Sequence, residues 1–517
     1  MTTIAGGIPG RAAASNVRSN GPVPPGVLIA AGAVTAVLLV VAGRYGFHRD
    51  EYYFVVTGQH PAWSAPDNPM LVPYLAAGWY WLVGGHLWAF RVLPALAAGG
   101  YVLLGGLIAR EIGSGRRHQV AAAAAVALTG IVLAVGHLFE TTTFDMVVTA
   151  AALWMLIRAL ADDRRRWAPW IVFGVLTGVA MEIKIMAAPV TACCLVGVLI
   201  FGPRRRLADP RPWVAGAIAL VLAAPNLLWQ ANHGWPMAAI AAGIAGGAST
   251  SSTPRAALLP TMLLEIGPIV GVVLIVGVVR ALRAPLRRDG LGWLAAGFLI
   301  FVVLMLVTGG KAYYPAGFYP ALMAVGAGSV LDWSLRRRWR RILAVSLISI
   351  SIVVTASLTL PLFRVGSVLF RVGVGPNPDM AETVGWDQYV KTVADVARSL
   401  PTDQRGHTIV AASNYGEAGS LYLARQAGGA EGQVLPPVYS GSNAFWYWGP
   451  PPESATAAIV VGDVPPEQLS RYFSSCTLRA RLSSPPGVDN DEAGAAVRYC
   501  TGRTASWAVL WPQVNSL

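Results

Sequence analysis

The sequence predicts a mainly α-helical fold: a polytopic membrane bundle of about 11 transmembrane helices, followed by a small C-terminal α/β domain. Only 13% of the 517 residues are charged, whereas soluble globular chains carry roughly 25%. Hydrophobic residues make up 55% of the chain, and the mean hydropathy is +0.53. Apolar runs of membrane-crossing length recur before residue 364. This composition excludes an ordinary soluble enzyme and a disordered protein.

Eleven apolar segments are predicted to span the membrane, because a helix needs about 20 apolar residues to cross about 30 Å of hydrocarbon. They are residues 26–43, 91–109, 119–138, 144–161, 168–183, 185–201, 213–229, 256–280, 290–308, 315–333 and 342–361. The shorter runs would have to lie in a thinned or protein-lined region of the bilayer.

The arginines indicate how these spans are oriented. Six arginine clusters all fall on one side of the membrane if the eleven spans are kept. Lys and Arg in short loops stay cytoplasmic, so we expect a multi-pass plasma-membrane protein with a cytoplasmic N-terminus and an extracytoplasmic C-terminal domain. The net charge of +13 then reflects topology, and no nucleic-acid partner is expected.

Composition divides the chain into three predicted regions. Residues 1–25 are rich in Gly, Pro, Ser and Asn and indicate a disordered cytoplasmic tail. Residues 26–363 form the membrane domain, and residues 364–517 the extracytoplasmic α/β domain. In the latter, HTIVAASNYGEAG with SLYLARQAGG, and later ATAAIVVGDVPPEQLSRYF, each indicate a strand, a turn and a helix.

The first outer loop, residues 44–90, differs from the other outer loops because it is long, aromatic-rich and interrupted by prolines. Trp and Tyr at this density are typical of a membrane interface, so we expect one or two interfacial helices here.

The four cysteines fit the same topology. Cys193 and Cys194 lie inside an apolar span and are most simply small buried residues. Cys476 and Cys500 lie in the extracytoplasmic domain, where oxidation is permitted, but their spacing leaves a disulfide between them open.

Acids and lysines beside the apolar spans are the candidates for chemistry, because ionisable groups near a membrane are costly. The acids Asp50, Glu51, Glu140 and Asp145 are predicted to lie at the outer face, where Lys184 and Lys311 are also expected. A carboxylate there can deprotonate an acceptor hydroxyl, and cations can stabilise a departing phosphate.

Each candidate also has a simpler explanation. Asp50 and Glu51 could be solvated acids at a helix end, and Asp145 could cap its helix. Lys184 and Lys311 could extend to lipid headgroups. The functional interpretation depends on all of these groups converging on one face.

Several stretches of the chain resemble family 39-type GT-C glycosyltransferases, which include protein O-mannosyltransferases and lipid A aminoarabinose transferases. The resemblance is carried by FHRDEYYFVVTGQHPAWSAPDNPMLVPYLA, TTTFDMVVTAAALWML, GVLTGVAMEIKIMA, PNLLWQANHGWP, GGKAYYPAGFYPAL, ETVGWDQYV, NYGEAGSLY and YSGSNAFWYWGPP. It implies a GT-C type bundle, a polyprenyl-phosphate sugar donor, an outer-face active site in the first loop, and inversion at the anomeric carbon.

Site residues carried over from this resemblance form two groups. The catalytic group consists of Asp50 as base or acceptor-orienting carboxylate, Glu51 in support, and Asp145 as the second acid. The substrate-binding candidates are Lys184, Lys311, Tyr53, Asp67, Tyr313 and Trp446, and the resemblance assigns the two lysines to the donor phosphate. Trp446 is included for a separate reason: it lies in an aromatic run whose faces can stack on sugar rings, although such a run beside a membrane domain is more often a docking surface. The chain departs from the usual Asp-His-Pro-Pro motif, having Asp67, Asn68, Pro69 and Met70, so an acid–base or metal role there is in doubt.

The sequence therefore predicts an integral membrane glycosyltransferase, a hexosyl- or pentosyltransferase. It would pass a sugar from a polyprenyl-phosphate donor to an extracytoplasmic protein, cell-wall glycan or lipid. No cofactor is certain, and a divalent metal near His48, Asp50 and Glu51 stays open. The alternative is a transporter or flippase of a lipid-linked sugar or small solute, although no duplicated half is apparent.

Overall fold

The computed structural model describes residues 22–247, 252–283 and 290–515. Most of the predicted tail, residues 1–21, lies outside the described residues. Helices dominate the part of the chain before residue 364. They are α1 Pro25–Val41, α2 Arg49–Gly58, α3 Leu71–Leu82, α4 Leu87–Phe90, α5 Val92–Glu111, α6 Arg116–Ala127, α7 Gly130–Gly136, α8 Thr141–Leu160, α9 Ala168–Ile183, α10 Ala187–Phe201, α11 Pro210–Asn232, α12 Pro236–Ala245, α13 Leu258–Ile266, α14 Pro268–Leu282, α15 Gly292–Thr308, α16 Tyr319–Leu335 and α17 Arg338–Thr359.

Each of the eleven predicted spans coincides with a helix or a pair of helices, but the predicted number of full spans is confirmed only in part. In the described residues, four helices are long and apolar enough to cross a membrane, or six if each bent pair is one span. The pairs α6–α7 and α13–α14 bend by 57° and 104°. Several other apolar helices have only 10–17 residues. Hydropathy locates such segments without showing where a break in the backbone divides them, as the bend at Gly267 illustrates.

The long loop between α1 and α5 contains the three helices α2, α3 and α4. Residues between α2 and α3 are extended or bent, with an isolated antiparallel bridge between Ser64 and Pro69. The prolines that the sequence concentrates here lie between or at the beginning of the helices. This loop carries one side of the candidate site.

The C-terminal region, residues 364–515, contains a five-stranded sheet in the order β2-β1-β3-β5-β4. β1 is parallel to β2 and β3, whereas β5 is antiparallel to β3 and β4. The elements are α18 Val368–Val374, α19 Trp386–Ser399, α20 Thr402–Arg405, β1 Thr408–Ala412, α21 Tyr415–Ala427, β2 Val438–Ser440, α22 Ala444–Tyr447, β3 Ala457–Val461, α23 Pro466–Tyr472, β4 Phe473–Arg481, β5 Ala496–Arg503 and α24 Trp507–Leu510. Both predicted strand–turn–helix units, β1–α21 and β3–α23, are present. Cys476 and Cys500, opposite each other on β4 and β5, form a disulfide.

Helix α21 packs directly on α2 of the first loop, because two glycines allow their backbones to approach. A Cβ atom at Gly416 would lie 2.7 Å from Cβ of Arg49, and one at Gly419 would lie 3.0 Å from Cβ of Tyr52. Contacts this short leave no room for larger residues. The C-terminal region is thereby held against the acids of the first loop.

Candidate functional site

The two acids of the first loop lie in the first turn of α2. The imidazole of His48 accepts a hydrogen bond from the backbone N–H of Asp50 at 3.2 Å, and the Glu51 carboxylate accepts one from the backbone N–H of His48 at 2.8 Å. This reciprocal arrangement is a capping box, which fixes where the helix begins. As a result, the carboxylates of Asp50 and Glu51 point in different directions.

Glu51 is fully buried and holds the loop in place. The guanidinium of Arg91 donates to both Glu51 oxygens, at 3.0 and 2.7 Å, and the backbone N–H of Phe139 donates at 2.9 Å. Burial alone would raise the pKa of Glu51, but Arg91 and these hydrogen bonds together hold it below the usual value. All of these contacts of Glu51 lie within the protein and hold the first turn of α2, which carries Asp50, in place.

Asp50 points instead into a cluster of polar side chains. Its Oδ1 accepts a hydrogen bond of 2.8 Å from the hydroxyl of Tyr415, at the start of α21. Ligand atoms of His48, Asp50 and Glu140 all lie within 4.8 Å of one another. Burial and the adjacent Asp50 carboxylate raise the pKa of Glu140 well above its ordinary value.

The lysines and the second predicted acid lie close to this cluster. Nζ of Lys184 donates to Thr142 at 3.0 Å, and its charge interacts with Asp145, Lys311, Glu140 and Asp50. Asp145, one turn into α8, accepts a hydrogen bond of 3.1 Å from Thr149. The structure therefore brings Asp50, Asp145, Lys184 and Lys311 together, as the convergence argument requires.

Tyr313 lies between the two lysines. Its ring centroid is 4.9 Å from Nζ of Lys184 and 5.9 Å from Nζ of Lys311, both within cation–π range. Tyr314 adds a second ring 5.1 Å from Lys184. The ring of Tyr313 thus contacts both ammonium groups, and an aromatic face attracts a cation without carrying a charge of its own.

Tyr53 and Asp67 are hydrogen-bonded to each other and to the C-terminal region. The Tyr53 hydroxyl donates to Asp67 at 2.6 Å, and the Asn443 amide donates to the other Asp67 oxygen at 3.0 Å. Burial raises the pKa of Asp67. These contacts connect the first loop to the C-terminal region. They do not involve a substrate, and the substrate-binding role of Tyr53 and Asp67 stays a prediction.

The cluster of His48, Asp50 and Glu140 has the chemistry of a divalent-cation site. One imidazole and two carboxylates form a donor set that several divalent metals accept. The His48 nitrogen recorded nearest to Glu140 is Nδ1, at 3.8 Å, which also accepts a hydrogen bond from the backbone N–H of Asp50, while the buried Nε2 has no hydrogen-bond partner in the described chain. The residues present fit such an ion.

The overall fold can now be compared with solved structures. ArnT from Cupriavidus metallidurans in the apo state superposes with a TM-score of 0.58 at 15% identity, over 92% of this chain and 98% of that chain. The same protein bound to undecaprenyl phosphate gives 0.56 at 15% identity, with the same coverage. The chain has the GT-C fold.

A family model built from sequences also matches part of the chain. Residues 67–229 match the model of the dolichyl-phosphate-mannose-protein mannosyltransferase family. This segment contains Asp67, Asp145 and Lys184, whereas Asp50 and Lys311 lie outside it. No curated protein matches the chain by sequence.

Trp446 forms a reciprocal hydrogen-bonded pair with Trp511, and its predicted substrate-binding role stays a prediction. Its indole N–H donates to the carbonyl of Trp511, and the indole N–H of Trp511 donates back to the carbonyl of Trp446, both at 3.0 Å. The reciprocal pair fixes Trp446 inside the C-terminal region. The neighbouring Trp448 instead lines two cavities beside the first loop.

Three residues important to this geometry were not among the predicted site residues. Arg91 forms an ion pair with Glu51, and the carboxylate of Glu140 lies close to that of Asp50. Tyr415 donates a hydrogen bond to Asp50. Glu140 carried a detectable signal, since it is an acid next to an apolar span. Arg91 carried the same signal, since it begins a predicted span, but its pairing with Glu51 did not follow from the sequence. Tyr415 carried none, because it is uncharged and acts across 365 positions.

Proposed function

We propose that this protein is an integral membrane glycosyltransferase that moves a sugar from a polyprenyl-phosphate donor to an extracytoplasmic acceptor. The observation that carries the proposal is the convergence of Asp50 and Asp145 on the same charged cluster as Lys184 and Lys311. The GT-C fold supports it, since ArnT of that fold has been solved with undecaprenyl phosphate.

In the proposed reaction, Asp50 takes the proton of an acceptor hydroxyl as its oxygen attacks the anomeric carbon of the donor sugar. The bond from that carbon to the phosphate oxygen breaks, and its electron pair leaves with the polyprenyl phosphate. A single displacement of this kind inverts the anomeric carbon. Lys184 and Lys311 stabilise the negative charge that gathers on the phosphate.

The other site residues act on these groups. Tyr415 orients the Asp50 carboxylate through its hydrogen bond, and Glu51 fixes the turn that carries it. Asp145, which interacts with Lys184, keeps that ammonium charged and in position. A divalent cation held by His48, Asp50 and Glu140 would supply Lewis-acid polarisation of an oxygen of the substrate.

The proposed orientation places this cluster at the outer face of the membrane, with the N-terminus cytoplasmic and residues 364–517 extracytoplasmic. Arginine-rich connections support it, because they follow alternate apolar segments. The disulfide between Cys476 and Cys500 supports it as well, since such bonds persist in oxidising compartments.

The test uses purified protein in nanodiscs and a panel of radiolabelled polyprenyl-phosphate sugars. Wild type should consume one donor, and Asp50→Asn should reduce that consumption by at least about 100-fold, because a positioned base contributes 10²–10⁴ to the rate. Asp332→Asn, at a half-exposed acid paired with His118, is the matched control. Normal turnover by Asp50→Asn would refute the role of Asp50. In sealed proteoliposomes, transport of a donor across the membrane without its consumption would favour the transporter alternative.

A further inference from the structure

Two cavities lie side by side where the first loop meets the C-terminal region. The larger has a volume of about 350 Å³ and the smaller about 190 Å³. His60 and Trp448 line both, with their rings stacked at a centroid distance of 3.7 Å and an angle of 8°. Together the cavities reach the size range of small-ligand sites.

Side chains around the larger cavity combine aromatic rings with hydrogen-bonding groups. Tyr422, Tyr439 and Trp448 supply rings, while Arg425 and Gln426 supply donors and an amide acceptor. Among the described lining residues of either cavity there is no carboxylate. Aromatic rings offer flat apolar area, and the polar groups match hydroxyls.

The smaller cavity repeats this combination on the other side of the stacked pair. Trp229 and His233 stack at 3.9 Å, and the ring of Tyr447 lies 5.4 Å from Trp229. Tyr447 also carries a hydroxyl, whereas the hydroxyl of Ser64 is already hydrogen-bonded to Asn226 and Gln230. A ligand with alternating apolar faces and hydroxyl edges would find matching partners in both cavities.

A single helix links the larger cavity to the proposed reaction centre. α21 begins at Tyr415, which bonds Asp50, and continues to Tyr422, Arg425 and Gln426. Seven residues of α-helix rise about 10 Å, so the cavity lies roughly that far along the helix from the base. This separation suits a chain of linked sugars better than a single sugar.

We propose that these cavities form a binding groove for an oligosaccharide chain, which is the acceptor. The acceptor assignment rests on the proposed function, whereas glycan binding at the groove does not. The end of the chain reaches Asp50, and its preceding sugars stack on Trp448 and hydrogen-bond to Arg425 and Gln426. A peptide is less well matched, since the strand that borders the larger cavity, β2, is only three residues long and offers little edge for pairing.

The test measures glycan binding without donor, so that catalysis plays no part. Full-length wild type in nanodiscs is applied to an array of bacterial cell-envelope oligosaccharides and matching monosaccharides. We expect binding of oligosaccharides of two or more sugars and none of monosaccharides. Trp448→Ala should weaken that binding at least about 10-fold, because it removes the flat aromatic ring on which a sugar is proposed to stack.

Two further variants keep the test decisive if Trp448→Ala fails to fold. Arg425→Ala removes an exposed side chain of the groove and should also weaken binding, whereas Trp339→Ala, an exposed tryptophan outside both cavities, should not change it. Wild type that binds no oligosaccharide, or binds unstructured peptides instead, overturns the proposal. So does unchanged binding by folded Trp448→Ala and Arg425→Ala. If donor consumption persists in those cases, the proposed glycosyltransferase function stands and only the groove is refuted. Glycan binding without any donor consumption refutes the glycosyltransferase function and the acceptor assignment with it, but leaves glycan binding at the groove in place.

Discussion

Tyr415 donates a hydrogen bond of 2.8 Å from its hydroxyl to Oδ1 of Asp50, across 365 positions of the sequence. The C-terminal region is therefore part of the candidate site. The close packing of α21 on α2 at Gly416 and Gly419 makes this contact possible.

Removal of the Tyr415 hydroxyl should slow transfer more than it weakens substrate binding. A hydrogen bond to a charged group is worth about 1.5–3 kcal/mol, so Tyr415→Phe should lower kcat about 10-fold to 100-fold with little change in KM. The rate of donor consumption in nanodiscs, measured over a range of donor concentrations, gives both kcat and KM. Tyr499→Phe, which removes a hydroxyl bonded to Gln404 away from the first loop, should behave as wild type. Equal effects of the two variants would mean that Tyr415 only stabilises the fold.

Loss of the Lys184 charge should weaken the hold on the donor phosphate. Lys184→Met keeps much of the chain length but removes the ammonium, and we expect kcat to fall about 10-fold or more, with a rise in KM for the donor, because the charge contacts the phosphate before and during its departure. Lys391→Met, at an exposed lysine of α19, is the control. If Lys184→Met changed neither KM nor kcat, the charge would have no role in donor binding.

Disruption of the Glu51–Arg91 pair should cost stability. Glu51→Gln leaves a buried guanidinium without its counter-ion, which typically costs about 3–5 kcal/mol. The midpoint temperature of thermal unfolding in nanodiscs should therefore be much lower than in wild type. The double variant Glu51→Leu with Arg91→Leu should recover part of the loss, because no charge is left buried. A Glu51→Gln protein of normal stability that lacks activity would instead assign Glu51 to the chemistry.

The start of α21 should be pH-sensitive through Glu417. Its carboxylate accepts hydrogen bonds from Ser413 and Asn414, yet burial raises its pKa from 4.5 to about 7. The folded state therefore binds this proton more tightly than the unfolded state. Its stabilising contribution is complete below pH 4.5 and is lost as the pH rises through 7.

Hydrogen exchange of α21, corrected for intrinsic rates, measures this effect. Protection in wild type should fall at least about 10-fold between pH 5 and pH 8. Glu417→Gln, which cannot ionise, should show little change over the same interval. A parallel decline in both proteins would place the titrating group elsewhere.

Local features of the fold were predictable from the sequence. Hydropathy located the apolar helices, and the turn residues in SNYGEAG and GDVPPEQ located the helix starts at Tyr415 and Pro466. Helix length was less predictable. The break at Gly267, where φ is +93°, divides one predicted span into two helices because the reversal is set by backbone geometry.

The sequence could predict a site residue only where an ionisable side chain lies beside an apolar span. Asp50, Asp145, Lys184 and Lys311 meet that description, and they converge. Arg91 also lies at the edge of a predicted span, but the sequence does not show which acid it pairs with, and Tyr415 carries no charge. Arg91 reaches Glu51 over 40 positions and Tyr415 reaches Asp50 over 365, so these pairs exist only after the helices pack.

The distance along the chain between Asp50 and Tyr415 also has a consequence for biosynthesis. At roughly 5–20 residues per second, a ribosome that has made Asp50 needs on the order of 20 to 70 s to reach Tyr415. During that interval the acid is present without the hydroxyl that orients it. The nascent chain should therefore be inactive until its last third has emerged and folded, and products truncated before α21 should insert into the membrane without acquiring activity.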